Sequence, residues 1–508
     1  MIFHSSRSIK SQLKADREDL RKMGYIQELD RSIGIFSNFA LSFSVISILT
    51  GLITLYGYSQ QGTGVFLFWT WPLVGIFQLV MAVCLGEIAS CYPVAGGVYK
   101  WTNILSNSHV GWFNGWISVL GWLACTVGIN YGLAQYVLMF LGIQEYGNLT
   151  IVMIFIIIIL LQTLIGAIGI KMVTKINDIS VSVHIFGVIA ISALIIIFAG
   201  KGVNWDAISL QAFFHNMHVT NYIPALLMCA WTLTAFDASA NISEECINPS
   251  RTVPFGMILS VAVSIFFGCI LLFALGQATL NAPDLSGAGS SVVLYVLKNV
   301  LGSTLSNFVT LILITAMFAC GLASQTVTIR IIYAFSRDNG FPLSDIWKTI
   351  PQGYTTPVFS AILCGALEIV LIVILNVITI FTSADWIISN DLSKSLPTIT
   401  SLSTVGIYLS YAIVTASALL KRGKIKNDRR DFQTGRFGYI INVISLIWAL
   451  GISGIMLFYC NRTTTTFFLL FMTGITIYYF VYMRKVLEYQ YRQLSENELI
   501  QIESMRGL

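Results

Sequence analysis

The chain has 508 residues, of which 56% are hydrophobic and only 10% charged, whereas an ordinary soluble protein carries charge on about a quarter of its residues. This composition excludes a solvated globular domain and marks an integral membrane protein. The net charge of +5 gives no reason to expect nucleic-acid binding.

Residues 1–32 are polar and lack the apolar core of a cleavable signal peptide, so the first span is expected to act as its own insertion signal. Apolar runs of roughly twenty residues, enough to cross a hydrocarbon core of about 30 Å, then predict twelve spans. They cover 33–57, 65–90, 111–141, 149–170, 176–199, 221–240, 253–276, 304–335, 357–379, 398–420, 437–460 and 464–483, with a polar segment at 484–508. The stretch from Ile378 to Thr400 reads as an outside loop or short surface helix. An even number of spans puts both termini on one side. With both in the cytoplasm, only Lys201, Lys298, Lys394 and Arg462 of the 29 basic residues lie outside, and seven fall in "KRGKIKNDRRDFQTGR" (Lys421 to Arg436). That asymmetry is the one short cytoplasmic loops display. Nine cysteines follow no ligand or disulfide spacing, and most, including Cys84, Cys125, Cys229, Cys269, Cys320 and Cys364, fall inside spans as small packing residues.

Irregular backbone at membrane depth is tolerated only where protein lines a cavity, so interruptions of the spans point to function. In the first span, "SFSVISILTG" puts Ser42, Ser44, Ser47, Thr50 and Gly51 in mid-helix. In the sixth, "WTLTAFDAS" places Thr232, Thr234, Asp237 and Ser239 at comparable depth. A single hydroxyl in a membrane helix is best read as packing or as a bond to its own backbone. Two clusters, opening corresponding positions of spans one to five and six to ten, match an inverted-repeat transporter with paired broken helices. Such breaks expose N–H groups at one half-helix start and C=O groups at the other half-helix end, ready for a carboxylate and a cation.

"GEIASCYPVAGGVYKW" (Gly86 to Trp101) closely resembles the end of the second span in amino acid–polyamine–organocation transporters. "AFDASANISEECINPSRTVP" resembles the sixth-span signature of that superfamily, and "IYAFSRDNGFP" (Ile332 to Pro342) its eighth-span exit. "NFALSFSVISILTG" and "FDASANISEE" look most like the amino acid/choline subfamily, which includes γ-aminobutyrate and choline permeases. The resemblance implies an all-α, leucine-transporter-like fold: a first repeat over 33–199, a second over 221–420, and two further spans over 437–483.

It also implies roles. Ser44, Ser47, Ile48, Thr50, Gly51, Trp231, Thr232, Thr234 and Ala235 are expected to bind substrate, with Trp231 as an aromatic lid suited to an ammonium. Ala235 stands where the family usually has Gly. His184 in the fifth span matches a position where some members place a Lys instead of a sodium ion, and its titration range suits a coupling proton; the plainer reading is a neutral His bonded to a hydroxyl, for example from the eighth span. Asp237 is read as bracing the break in preference to a direct bond to a substrate ammonium. Glu244 is read as a gate or loop anchor, with Glu245 beside it, the two pairing with Arg251 or Arg330. Glu87 is read as an ion pair at the inner end of the second span in preference to a coupling group. Asn38, Gln78, Asn130, Tyr131 and Gln135 are weaker candidates to line a pathway. The eighth-span stretch "TVTIR" carries Ile329 where the family has a small hydroxyl, which argues against a sodium site.

The expectation is therefore a plasma-membrane secondary transporter, moving a small amino acid or amine by alternating access, needing no cofactor and coupled to H+. Its partners are that substrate and the lipid bilayer. An exchanger and a non-transporting nutrient receptor of the same fold are the alternatives. A membrane enzyme has no supporting motif.

Overall fold

A computed structural model describes residues 9–143, 147–198, 205, 210, 213, 219–280, 292–352, 354–382, 395–422 and 431–489. Eleven helices among them are long and apolar enough to cross a membrane. The chain is a multi-pass membrane protein. An amphipathic helix α1 (Ile9–Lys22) precedes the first span, which is split into α2 (Ile35–Ile46) and α3 (Ile48–Thr63). There follow α4 (Thr70–Cys91), a short α5 (Gly97–Leu105), α6 (Ser108–Phe140), α7 (Asn148–Ile168) and α8 (Ile170–Phe198). The sixth span is α9 (Val219–Thr232) and α10 (Ala238–Asn241), and then come α11 (Pro249–Leu280), α12 (Val292–Arg337), α13 (Ser344–Trp347), α14 (Val358–Thr382) and α15 (Ser395–Lys421). The last long helices are α16 (Gly438–Ile455) and α17 (Arg462–Tyr478).

Burial sorts these helices into an inner set and a rim. The apolar window of α6 is wholly buried, against 17% for the last span. Helix α6 packs against α12 and α15, while α3 packs against α9, and α2 against α11 and α8. Outward side chains are apolar too: Leu164 is 61% exposed, Phe186 71%, Phe458 79% and Val481 73%. A rim of this kind suits hydrocarbon, which imposes no penalty on exposed apolar area.

The sixth span breaks where the sequence reading put its interruption, ending at Thr232 and resuming at Ala238. The structure departs from that reading in three places. The fourth and fifth spans meet at one residue, Gly169, whose φ of 146° only glycine adopts readily. The eighth-span helix starts at Val292 and bends at Gly302 (φ 74°, ψ 173°). The ninth-span helix runs to Thr382, into the stretch read as an outside loop, and residues 383–394 of that stretch lie outside the described residues.

Candidate substrate and coupling site

The two interrupted spans lie side by side. Between α2 and α3, Ser47 takes φ 27°, ψ 86°, and its N–H still reaches Phe43 O at 3.0 Å. In the sixth span Ala235 takes φ 62°, a left-handed conformation that costs an L residue about 1–2 kcal/mol. Hydrogen bonds hold these bends. Ser42 Oγ donates to Phe236 O and accepts from Ser239 N–H, both at 2.8 Å. Asn38 donates to Ser239 O at 3.1 Å and accepts from Ser239 Oγ. On the other side of the breaks, α3 and α9 meet at Gly51, where a Cβ would lie 2.1 Å from Thr232 Oγ1. Any larger residue would push them apart.

At the start of α3 the Thr50 and Gly51 N–H groups bond Ser47 O at 2.9 and 3.0 Å, and past the end of α9 the Leu233 N–H bonds Cys229 O at 3.0 Å and the Thr234 N–H bonds Trp231 O at 3.4 Å. The backbone groups that helix ends leave without intrahelical partners thus narrow to the Ile48 and Leu49 N–H groups and the Thr232 carbonyl. The Tyr408 hydroxyl lies 3.0 Å from Ala230 O and from Gln78 Oε1. Thr232 Oγ1 donates to Met228 O at 2.6 Å, a bond to its own helix. Thr234 is buried beside the Tyr408 and Tyr411 hydroxyls. Trp231, one residue before the end of α9, has its ring over Gly128 of α6. Its Nε1 and Ser44 Oγ are buried without a hydrogen-bond partner, polar atoms that a bound molecule could satisfy.

His184 reaches the first break directly. Its Nδ1 lies 3.0 Å from Ser180 O, and a carbonyl only accepts, so Nδ1 carries a proton. Its Nε2 lies 2.7 Å from Ser47 Oγ, which in turn lies 2.5 Å from Thr50 Oγ1. The hydroxyl partner thus comes from the first span, not the eighth. In the neutral ring Nε2 accepts from Ser47 and Ser47 from Thr50. An imidazolium reverses the first bond and frees the Ser47 hydroxyl to donate to Thr50. Beside this chain, Cys320 Sγ donates to Val45 O at 3.4 Å. Cys320 is the α12 residue facing the break, so the missing hydroxyl at Ile329 does not bear on this site; Ile329 lies about 13 Å further along at 1.5 Å per residue, toward Gly166.

The acids divide by role. Asp237 is buried and accepts from Tyr411 Oη at 2.5 Å and Asn241 Nδ2 at 3.0 Å, which ties the sixth-span break to α15. Glu244 pairs with Arg337 at 2.7 Å and accepts from Ala95 N–H at 3.1 Å; Glu245 pairs with Arg330 at 2.9 Å. Around them the three quoted motifs converge at the N-terminal end of the bundle. Gly96 (φ 87°) and Gly97 (φ 39°) let the α4–α5 turn close on Ala334 and Asn241, and Asp338 binds Tyr99 at 2.7 Å, Tyr25 at 2.9 Å and Lys100. The Tyr25 ring is faced by Arg337 at 4.2 Å and Lys100 at 4.3 Å. Arg337, Asp338, Tyr99 and Lys100 lay within quoted motifs and Cys320 was read as a packing residue, whereas nothing in the sequence singled out Tyr25.

Glu87 lies away from the breaks, 3.2 Å from Arg422 and 3.0 Å from Thr434 N. Asn130 pairs with Gln162 of α7 at 2.8 Å. Tyr131 and Gln135 are buried in α6.

A family model described as "Amino acid permease" matches residues 33–482. The chain is 28% identical over 468 residues to "Amino-acid permease BAT1" of Arabidopsis thaliana, covering 85% of this chain and 86% of the relative. It is 25% identical over 417 residues to "GABA-specific permease" of Saccharomyces cerevisiae, covering 77% and 72%. Among solved structures, MhsT in complex with L-phenylalanine superposes with a TM-score of 0.59 at 14% identity, over 85% of this chain and 99% of that one. The last likeness concerns the fold alone.

Proposed function

Because the chain belongs to the amino acid permease family, a family of transporters and not enzymes, we propose that it is a proton-coupled secondary transporter of a small amino acid or related amine, working by alternating access. The reading includes twelve spans, the broken sixth among them, arranged as five-plus-five inverted repeats with two additional spans. It also places the protein in the plasma membrane with both termini cytoplasmic. The observation that carries it is the bond from His184 to Ser47, the residue at which the first span breaks.

The substrate carboxylate sits on the N–H groups at the start of α3, where backbone donors and the helix dipole both favour an anion. Its ammonium lies toward the carbonyl end of α9 and the face of Trp231, an arrangement that cation–π attraction favours. Ser44 Oγ and Trp231 Nε1 supply the unused polar atoms. An anion at the α3 start attracts a proton to His184. By linkage, a protonated His184 strengthens carboxylate binding by the same factor. The imidazole and the Cys320 thiol beside Val45 O make a poor set for a hard cation, which prefers oxygen ligands, and this favours protons over sodium. MhsT holds L-phenylalanine and one relative is named for γ-aminobutyrate; both suit an amino acid here.

The Glu244–Arg337 and Glu245–Arg330 pairs, with Tyr25 between Arg337 and Lys100, form the cytoplasmic gate and stand closed. Opening it requires the N-terminal segment and α10 to part from the end of α12.

A thermal-shift series on the purified chain tests the substrate class, because a ligand that binds only the folded state raises apparent stability by RT ln(1 + [L]/Kd). Saturable stabilisation by γ-aminobutyrate or one other class of amino acid is expected. No shift with neutral, basic or acidic amino acids, choline or polyamines would sink the reading.

A further inference from the structure

Helix α14 carries a carboxyl group that the transport site does not use. Glu368 is fully buried and lies roughly 15–20 Å from either end of its helix at 1.5 Å per residue, at mid-membrane depth. Its oxygens accept from the Gln325 amide of α12 at 2.8 Å and from the Cys364 thiol one turn before it at 3.2 Å. Gln325 also contacts Thr163 of α7 at 3.1 Å, so three helices meet at this carboxyl. Gly365 makes the approach possible, since a Cβ there would lie 2.7 Å from Thr163 Oγ1.

No cation faces it. Helix α7 has no ionisable residue between Asn148 and Ile168. On α12, Arg330 and Arg337 are engaged with Glu245 and Glu244, and Tyr333 with Glu28. On α6, His109 meets Tyr479, and on α15, Tyr411 meets Asp237. Asp345 of α13 pairs with Lys348 at the surface. The Gln325 amide and the Cys364 thiol are the polar groups acting on Glu368. An ionised carboxylate held by two neutral donors in hydrocarbon carries a large uncompensated desolvation cost, which a carboxyl group avoids by keeping its proton.

We propose that Glu368 is a proton-binding site inside the bundle, separate from His184 and occupied at neutral pH. Gln325 is built to accept either state of the group. Its N–H faces the carboxyl, and its Oε1 has no hydrogen-bond partner. Turning the amide over, which changes little in shape, puts Oε1 where it accepts from the Glu368 acid hydroxyl and from Thr163 Oγ1. The bound proton thereby ties α14 to α12 and α7. Ser324, next to Gln325, bonds Thr126 of α6 at 2.8 Å, so the tie continues across the inner helices.

Infrared difference spectra of the purified full-length protein test this without a substrate. At about pH 7 wild type minus Glu368→Gln is expected to show a protonated-carboxyl C=O band, retained in His184→Ala. The band is expected to move in wild-type protein carrying 13C-glutamate, a reading that needs no variant and separates Glu368 from Asp237. A second readout is thermal unfolding. The folded state keeps a proton that the unfolded chain releases near its ordinary glutamate range, so stability falls as pH rises. Wild type should therefore lose its unfolding midpoint relative to Glu368→Gln as pH rises above the ordinary glutamate range of about 4.3. Absence of the glutamate-sensitive band, or a midpoint gap that does not change with pH, overturns the proposal. Neither result bears on whether amino acids are transported.

Discussion

Ser47 and Ala235 make the two breaks with side chains that disfavour them, and each depends on its neighbours. Ala235 holds φ 62° where glycine would meet no steric cost. Ala235→Gly should fold and bind as wild type does, while Ala235→Val, β-branched in the left-handed region, should lose on the order of 2 kcal/mol or more. Paired thermal-unfolding curves decide this, and equal loss in both variants would mean that the backbone strain is immaterial. Gly51 is constrained from outside: a Cβ would sit 2.1 Å from Thr232 Oγ1. Gly51→Ala is expected to cost about 1–3 kcal/mol of stability, as overpacking does, and to weaken ligand-induced stabilisation, because it shifts the start of α3 away from α9. Unchanged ligand shifts in this variant would move the substrate away from the breaks.

At the scale of elements, the end of α12 acts as the counterpart of the sixth span. Arg330 and Glu245 are both fully buried, so removing one partner strands the other. Glu245→Ala should destabilise by about 3–5 kcal/mol, and replacing both residues by leucine by much less; a similar loss in the two variants would show that packing, not charge, dominates there. The N-terminal segment closes the same end through Tyr25, Gln27 and Arg31, which bond Asp338, Glu244 O and Cys246 O. In a variant whose sole cysteine is Cys246, Tyr25→Ala should raise the rate of thiol alkylation, since Cys246 is buried beneath this cover. An unaltered rate would remove Tyr25 from the gate.

For the whole molecule, the spans and both breaks were legible in the sequence because they rest on local facts. Length and hydropathy mark a span, and clustered Ser, Thr and Gly mark where "SFSVISILTG" and "WTLTAFDAS" interrupt one. The number of long helices differed only at the sixth span, since a hydropathy window averages across the break that ends α9 at Thr232. What stayed hidden was which residues meet. His184 and Ser47 are 137 positions apart, Cys320 and Val45 275, and no periodicity encodes such contacts. The stretch "TVTIR" entered through the family comparison, as a hydroxyl missing at Ile329, yet a register difference of a few turns along α12 sets Cys320 at the break and Arg330 against Glu245. Glu368 drew no notice because one acid in an apolar run carries no motif.

The most direct measurement is amino acid uptake into proteoliposomes with an imposed proton gradient, using the amino acid that stabilises the protein most, in wild type and His184→Ala. Wild-type uptake driven above equilibrium by external acid, with the gradient response lost in His184→Ala while substrate binding survives, is the result expected. Gradient-driven uptake that persists unchanged in His184→Ala, or wild-type uptake indifferent to the gradient, would contradict proton coupling through the first-span break.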